Sequence, residues 1–255
     1  MATYKKRGSK KSTISPIRSE AVEESTTAEV FETLDTTASK TEEWVVKYQN
    51  VILSFIGIVV IGVLGYFGYQ NYVLEPKAKE AISELNQAQY YFELAVNTVN
   101  SDSLYKRALN GGEGKYGFLD IIENYKGTTA AKLATYSAGM AYLNIRDYQN
   151  AINYLDQFNS EDVLLGALAK GAIGDALVQM NQLNEAYDYY VDASKVNNNM
   201  YSTPKYLYKA AMLGAELGKN SQALVFLKRI DKEFKESQEA GLVEVQIARL
   251  ETVMK

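Results

Sequence analysis

The feature that most constrains this fold is an uninterrupted apolar run, VILSFIGIVVIGVLGYFGYQNYVL, at residues 51–74. No Asp, Glu, Lys or Arg lies between Lys47 and Glu75. A helix crosses a hydrocarbon core of roughly 30 Å with about 20 residues, so the run is long enough to span a bilayer. Aromatic side chains, which favour the membrane interface, flank it. These are Trp44, Tyr48, Tyr66, Tyr69 and Tyr72. We predict a single transmembrane helix over residues 48–74.

Other interpretations of the apolar run are weaker. The apolar part of a cleaved signal peptide would follow a short basic N-terminal region. This run instead follows a long polar segment, and no A-x-A cleavage site follows it. A buried core helix is usually shorter and polar on one side. Within the run, Gly62, Gly65 and Gly68 recur at every third position. They predict contact with a partner helix in the membrane, although glycine is also common in membrane helices without such a role.

The distribution of cations predicts the orientation of this helix. Lys40 and Lys47 precede the run closely and Lys77 and Lys79 follow it, so the nearest cations are balanced. The remaining cations of the N-terminal tail favour a cytoplasmic N-terminus under the positive-inside rule. We therefore expect residues 75–255 to be exported, as a periplasmic domain of an inner-membrane protein.

The segment before the helix, residues 1–47, is rich in Ser, Thr, Glu and Lys and poor in large apolar residues. Such a composition buries too little surface to offset the entropy of ordering, and we predict a disordered cytoplasmic tail. A basic cluster near its start would contact anionic lipid or ribosomal RNA, or would only keep the tail soluble. The cluster is Lys5, Lys6, Arg7, Lys10 and Lys11.

The composition argues against several classes of function. The chain has no Cys and no His and a net charge of −4, which excludes thiolate nucleophiles, imidazole bases and Cys/His zinc sites. A mildly acidic domain is also poorly suited to nucleic acid. The NGGEG segment lacks the spacing of a phosphate-binding loop. We expect no enzyme, no cofactor and no metal site, with a carboxylate-based hydrolase as the remaining catalytic alternative.

Three segments of the C-terminal region repeat one another. Residues 135–158 align with 170–193 at an offset of 35, and these align with 207–230 at an offset of 37. Each copy consists of a predicted helix, a polar turn and a second helix. Small residues recur at Gly139 and Gly174, and at Ala151 in the second helix. We expect these small positions to face each other, so that paired helices approach closely.

This pattern of small and bulky residues resembles the tetratricopeptide repeat. The first copy meets it at Gly139, Tyr142, Ala151 and Leu155, whereas the third copy departs from it at Gly214. The resemblance implies an all-α domain, a tetratricopeptide-like α-solenoid of about 3–4 helix pairs over residues 75–255. Counting a degenerate first unit and a C-terminal capping helix, we expect roughly eight helices. Apolar positions Leu242, Val245, Ile247 and Leu250 are the expected contacts of that last helix.

In such arrays, the first helix of each unit lines a concave groove. The resemblance implies that the candidate partner groove consists of Tyr136, Met140, Asn144, Asp175, Gln179, Tyr208 and Met212. The same helical faces carry Leu143, Gly171, Val178, Lys205 and Glu216. Met and Tyr suit apolar or partly unfolded segments. Packing of these side chains between units is an equally open interpretation.

The combination of a polar tail, one membrane helix and a degenerate repeat domain resembles the YfgM-like ancillary subunits of the SecYEG translocon, in their Bacteroidota form. The segments GFLDIIENYKGT and AYLNIRDYQNAINYLDQF carry this resemblance. It implies a membrane-anchored protein–protein interaction module that assists the Sec translocon or its hand-off to chaperones. The implied partners are translocon subunits, exported chains or periplasmic chaperones. A scaffold subunit of another envelope complex, in division or outer-membrane assembly, remains the alternative.

Overall fold

A computed structural model describes residues 26–159 and 162–254, with side chains from Trp44 onward except at Val163. The protein is all-helical over these residues, with no strand beyond an isolated bridge between Gly112 and Lys115. The predicted all-α class is therefore confirmed. The chain divides into two units, Met1–Tyr66 and Phe67–Lys255.

The first helix, α1, spans Thr26–Tyr69, and a π-helical turn, Gln70–Leu74, follows it directly. Residues 26–47 are thus helical, which differs from the disordered tail expected there. Adding a residue to an existing helix costs far less than starting one, so a stable apolar helix can extend into a polar neighbour. The basic cluster at residues 5–11 lies outside the described residues.

Helix α1 and the π-helical turn together contain the apolar run, and the continuous helix Trp44–Val96 is long enough and apolar enough to cross a membrane, with a mean hydropathy of 2.5 in its most apolar window. Large apolar side chains of α1, including those of Phe55 and Ile61, are exposed. A Cβ atom added at Gly62, Gly65 or Gly68 would meet nothing within 4 Å. The glycine stripe is therefore open to its surroundings, as a contact with a partner helix requires.

The second unit contains ten helices within residues 75–159 and 162–254, rather than the eight expected. They are α2 (Glu75–Val96), α3 (Asp102–Asn110), α4 (Phe118–Asn124), α5 (Thr129–Asn144), α6 (Tyr148–Gln157), α7 (Val163–Gln179), α8 (Leu183–Ala193), α9 (Ser202–Glu216), α10 (Asn220–Glu233) and α11 (Ala240–Val253). The difference arises before residue 129, where the chain forms three helices. A glycine turn separates α3 from α4, and Gly111 adopts a left-handed φ of 76° there. A Cβ atom at Gly111 would lie 2.2 Å from the Lys115 carbonyl oxygen, so only glycine fits.

Side-chain caps fix where three of these helices begin. Thr128 Oγ1 accepts a hydrogen bond from the Ala131 amide at 3.1 Å, which starts α5. Asp147 Oδ1 accepts from the Asn150 amide at 3.3 Å, at the start of α6. Asp162 caps α7 in the same way. Each cap satisfies a backbone donor that has no partner within its helix.

Consecutive helices of the second unit pack against one another, from α2·α3 to α10·α11. Alternate helices also touch, since α5 contacts α7, α7 contacts α9 and α9 contacts α11. Helices α5 to α10 therefore form three consecutive hairpins, whose first helices lie side by side. The three copies found in the sequence coincide with these three hairpins.

The turn inside each hairpin repeats in atomic detail. Arg146, Asn181 and Gly218, which align in the sequence, all adopt positive φ, at 65°, 59° and 78°. The next residue in each copy donates a backbone hydrogen bond across the turn. These bonds are Asp147 to Tyr142 at 2.9 Å, Gln182 to Leu177 at 2.9 Å and Lys219 to Gly214 at 2.7 Å. The third copy thus keeps the turn although its side chains depart from the repeat pattern.

The small residues do approach their partner helix closely, but through different contacts from those expected. A Cβ atom at Gly139 would lie 2.5 Å from Leu155 Cγ, and one at Gly174 would lie 2.6 Å from Tyr190 Cε1. Leu155 and Tyr190 occupy the same position in their copies, one helical turn beyond the small residue expected there. A bulky side chain therefore fills the space that glycine leaves.

The departure at Gly214 has a similar explanation. A Cβ atom there would lie 3.0 Å from the ring of Tyr187, which is buried. The preceding copy has the smaller Ile152 in the place of Tyr187. The larger ring of Tyr187 thus occupies the space that a side chain at position 214 would otherwise fill, which keeps the core closely packed.

Two of the four predicted contacts of the last helix are confirmed, since Leu250 is buried and Ile247 is half-buried against the same core cluster. Val243 and Leu250 of α11 are buried and pack in one cluster with Leu207 and Leu227. Leu242 and Val245, predicted as contacts, are 52 % and 72 % exposed. The pattern is ambiguous because apolar residues occur around much of the helix, and only the position of α10 selects the buried face.

Candidate protein-binding groove

The four aromatic and methionine candidates of the predicted groove are half-buried. Tyr136 and Met140 of α5 pack against the core around Leu155, and the Tyr136 ring lies 5.3 Å from that of Phe158. Burial raises the pKa of the Tyr136 hydroxyl. In α9, the Tyr208 and Met212 side chains pack against the next core cluster. Packing between the helices therefore accounts for much of the surface of these four side chains.

The three polar candidates come together around one pocket. Asn144, Asp175 and Gln179 line a cavity of about 410 Å³ between the hairpins α5–α6 and α7–α8. The other lining residues are Leu143, Arg146, Tyr148, Val178 and Tyr190. Asn144 and Gln179 are exposed, and Asp175 is half-buried. Sequence alignment had placed these residues on equivalent faces, and the packing of α5 against α7 brings those faces together.

Asp175 is the centre of a polar network at the edge of this pocket. Its Oδ1 atom accepts a hydrogen bond from the Tyr190 hydroxyl at 2.6 Å and one from Lys209 Nζ at 2.5 Å. The three groups belong to α7, α8 and α9, so the network ties two neighbouring hairpins together. Burial, followed by the bond to Asp175, raises the pKa of Tyr190. Because Lys209 already neutralises it, Asp175 is a poor site for a cationic ligand.

Sequence reasoning missed Tyr190, Tyr206 and Lys209 as parts of this network. The rings of Tyr190 and Tyr206 stack with centroids 6.4 Å apart and planes inclined by 15°. Gly171, expected on the groove face, is instead covered, since a Cβ atom there would lie 1.9 Å from the Tyr206 ring. Lys205 Nζ lies 5.7 Å from the centre of that ring. The only signal in the sequence is the Lys205–Lys209 spacing of one helical turn, which is common on solvated faces.

A second pocket of about 410 Å³ lies further along the array, between α9, the start of α10, and α11. It contains Met212 from the predicted groove and Glu216 from the same helical face. The remaining lining residues are Ala215, Asn220, Gln246, Arg249, Leu250 and Val253. Both pockets are therefore lined from the ends of the first helices in their hairpins.

A larger cavity, of about 480 Å³, lies among α6, α7 and α8 and contains none of the predicted groove residues. Its polar side chains are those of Asp156, Asn159, Lys170, Tyr189 and Asp192. Burial raises the pKa of Tyr189, with a smaller contribution from Asp156 and Asp192. Across the described side chains, no group of three or more Asp and Glu residues is placed to hold a metal ion.

No protein-family model matches this sequence, and no curated protein does.

Proposed function

We propose that this protein is a membrane-anchored interaction module whose helical hairpins bind other polypeptides. The observation that carries the proposal is a pair of pockets at the ends of α5, α7 and α9, where equivalent positions of the three hairpins contribute lining residues. Repeated helical units that stack in sequence present extended surfaces of this kind. Polar side chains with a few apolar ones line both pockets, which suits a polypeptide better than a small apolar ligand.

The hairpins form a tetratricopeptide-like α-solenoid in this proposal. Three features support it: the hairpins follow one another in space as in sequence, their turns repeat, and glycine allows close contact at Gly139 and Gly174. The three helices before residue 129 would then act as a degenerate first unit. Helix α11 would cap the other end, although its exposed Leu242 and Val245 differ from a fully polar cap.

The apolar segment of α1 is the membrane anchor in this proposal. Its length and hydropathy support a single span, and the cations of the tail support a cytoplasmic N-terminus. The hairpins would then lie in the periplasm, next to the inner membrane. An exported interaction domain held at the bilayer is suited to receive chains from the Sec translocon or to pass them to chaperones.

Photo-crosslinking in cells tests this function. A photoreactive residue at Asn144 or Tyr208 should capture translocon subunits, exported chains or periplasmic chaperones, whereas one at Gln222, exposed on α10, should not. Purification in mild detergent should recover the same partners. Recovery of division or outer-membrane assembly proteins instead would favour the scaffold alternative, and equal crosslinking from all three positions would contradict a specific groove.

A reporter enzyme that is active only outside the cytoplasm, fused after Lys255, tests the orientation. Activity is expected for the full chain, and carbonate washing should leave the protein in the membrane fraction. An inactive reporter would place the hairpins in the cytoplasm and would exclude periplasmic partners.

A further inference from the structure

Helix α11 takes the place of the first helix of a further hairpin. It contacts both α9 and α10, as α9 contacts α7 and α8. At the offset of 37 that relates the second and third copies of the repeat, Ala248 of α11 aligns with Ala211, which in turn aligns with Gly174 and Gly139. The three earlier positions are buried, whereas Ala248 is exposed. A position that allows close approach of a neighbouring helix is thus uncovered among the described residues.

The exposed face of α11 lies opposite the face that packs against the core. Val243, Ile247 and Leu250 pack inward, in the cluster shared with α9 and α10. The residues on the opposite face, spaced four, three and four positions apart, are Gly241, Val245, Ala248 and Thr252. We call these four residues the outer seam, and all are exposed. The Thr252 hydroxyl donates to the Ala248 carbonyl at 2.8 Å, so its hydrogen-bonding requirement is met within the helix.

The spacing of the outer seam is that of the a and d positions in a coiled coil. Glu244 then occupies a g position and Arg249 an e position, so the two charges flank the seam on opposite sides. Both side chains are exposed, and neither forms a hydrogen bond or an ion pair with another described residue. One acid and one base are therefore available beside the seam.

These charges are complementary to a second copy of the same helix, in one direction only. In a parallel pair, g positions of one helix face e positions of the other, so Glu244 faces Arg249 of the second copy, and the symmetry of the pair repeats the contact. In an antiparallel pair, g positions face g positions, and the acidic residues Glu244 and Glu251 would face each other. Opposite charges across an interface favour one partner and one register, and like charges exclude the alternatives.

We propose that α11 is a dimerisation surface, on which the outer seam packs in parallel against the outer seam of a second copy of this chain. Two Glu244–Arg249 ion pairs flank the contact. Helix α11 is already folded on α9 and α10, so association requires no helix nucleation. One helix per copy buries less than the roughly 1,600 Å² of a standard interface, so anchoring of both copies in one membrane strengthens the pair. This inference goes beyond the proposed function, because it concerns contact between copies and not the ligand of the groove.

Disulfide trapping tests the contact directly, because the chain has no cysteine of its own. Val245→Cys and Thr252→Cys, made separately in the full membrane-bound chain, should each form a disulfide-linked dimer under mild oxidation. Both should react because each seam position of a parallel pair meets its own counterpart. Gln222→Cys, exposed on α10, is the matched control and should remain monomeric. Dimers from Val245→Cys alone would overturn the parallel arrangement, and the absence of dimers from both seam variants would overturn the contact itself.

Charge reversal tests the ion pairs. In the Val245→Cys background, Arg249→Glu replaces two attractive contacts with two repulsive ones and should weaken the dimer roughly tenfold. Glu244→Arg alone should have a similar effect. The two substitutions together recreate opposite charges, so the double variant should dimerise nearly as well as the parent. Unchanged trapping in the single variants, or no recovery in the double variant, would overturn the role of this pair.

The outcomes also separate this inference from the proposed function. Val245→Cys dimers without partner crosslinks from Asn144 would support the dimer and contradict the groove, and the reverse result would contradict the dimer alone. Capture of a different protein by Val245→Cys, without a dimer of the chain itself, would overturn the second copy as the occupant of the outer seam. Circular dichroism of each variant confirms that the helices are intact.

Discussion

Replacing Gly171 with alanine should destabilise the hairpins, although alanine is the better helix former. A Cβ atom at this position would lie 1.9 Å from Tyr206 Cε1 and 2.3 Å from its hydroxyl oxygen. Carbon atoms in contact normally lie about 3.5–4.0 Å apart. The ring is 3 % exposed and stacked on Tyr190, so it cannot move aside freely. The substitution therefore forces Tyr206 away from the place where α7 and α9 meet.

The magnitude follows from two opposing contributions. Overpacking of a well-packed core costs about 1–3 kcal/mol, and the large overlap at Gly171 points to the upper part of that range. Glycine to alanine in a helix gains about 1 kcal/mol. The free energy of unfolding should thus fall by about 1–2 kcal/mol, which for a domain of this size lowers Tm by roughly 2–8 °C. Urea unfolding of the full chain in mild detergent, followed by circular dichroism, measures it.

The same helix provides a matched control at Gly166. A Cβ atom there would meet only Val196 Cγ1, at 3.7 Å, which is an ordinary contact. Gly166→Ala should therefore leave stability unchanged or raise it by up to about 1 kcal/mol. In a Tyr206→Ala background, Gly171→Ala should lose most of its cost, since the overlapping ring is absent. Equal effects of the two glycine substitutions, or no coupling to Tyr206, would refute this account of the packing.

Three further predictions concern titration, the polar network and a helix cap. Burial raises the pKa of Tyr190, and burial and a hydrogen bond to Glu80 raise that of Tyr125 from 10 to about 12. Above pH 10 both tyrosines are ionised in the unfolded chain but remain neutral in the folded one. The free energy of unfolding should therefore fall from pH 10 upward, by about 1.4 kcal/mol per pH unit for each group. Urea unfolding at pH 8–12 measures this, and a flat profile would contradict it. Asp175→Ala leaves the Tyr190 hydroxyl without its acceptor and should lower the free energy of unfolding by about 1–3 kcal/mol. Lys209→Met should lower it by about 1 kcal/mol or less, because the Lys209–Asp175 pair is partly exposed. The reverse order in denaturant melts would exclude this role for Asp175. Thr128→Ala should remove the cap of α5 and lower the free energy of unfolding by about 1 kcal/mol, whereas Thr128→Ser should be nearly as stable as the wild type. Equal hydrogen-exchange rates in the first turn of α5 for both variants would disprove the cap.

Local pattern predicted the all-α class and the existence of repeating helical pairs. The repeat is visible because small residues recur at Gly139 and Gly174 and at Ala151, with a polar turn at the same point in each copy. Helix periodicity and turn chemistry depend on residues a few positions apart, so the sequence contains that information directly. The apolar run at residues 51–74 is equally local, because its length alone decides whether a helix can cross a bilayer.

Contacts between distant residues could not be predicted in the same way. The side chain that fills the space at Gly171 belongs to Tyr206, on another helix, and no spacing rule connects the two. The buried face of α11 likewise depends on where α10 lies, which is why Val243 rather than Leu242 is buried.

By itself, the sequence determined where helices form, how often they repeat, and which segment is apolar enough to anchor the chain. Only the tertiary structure decided which of the candidate groove residues remain available to a partner. Tyr136 and Met140 are half-buried against the core, whereas Asn144 and Gln179 stay exposed beside a pocket. The physical reason is that exposure depends on the neighbouring helix, whose approach is set by side-chain volumes far away in the chain.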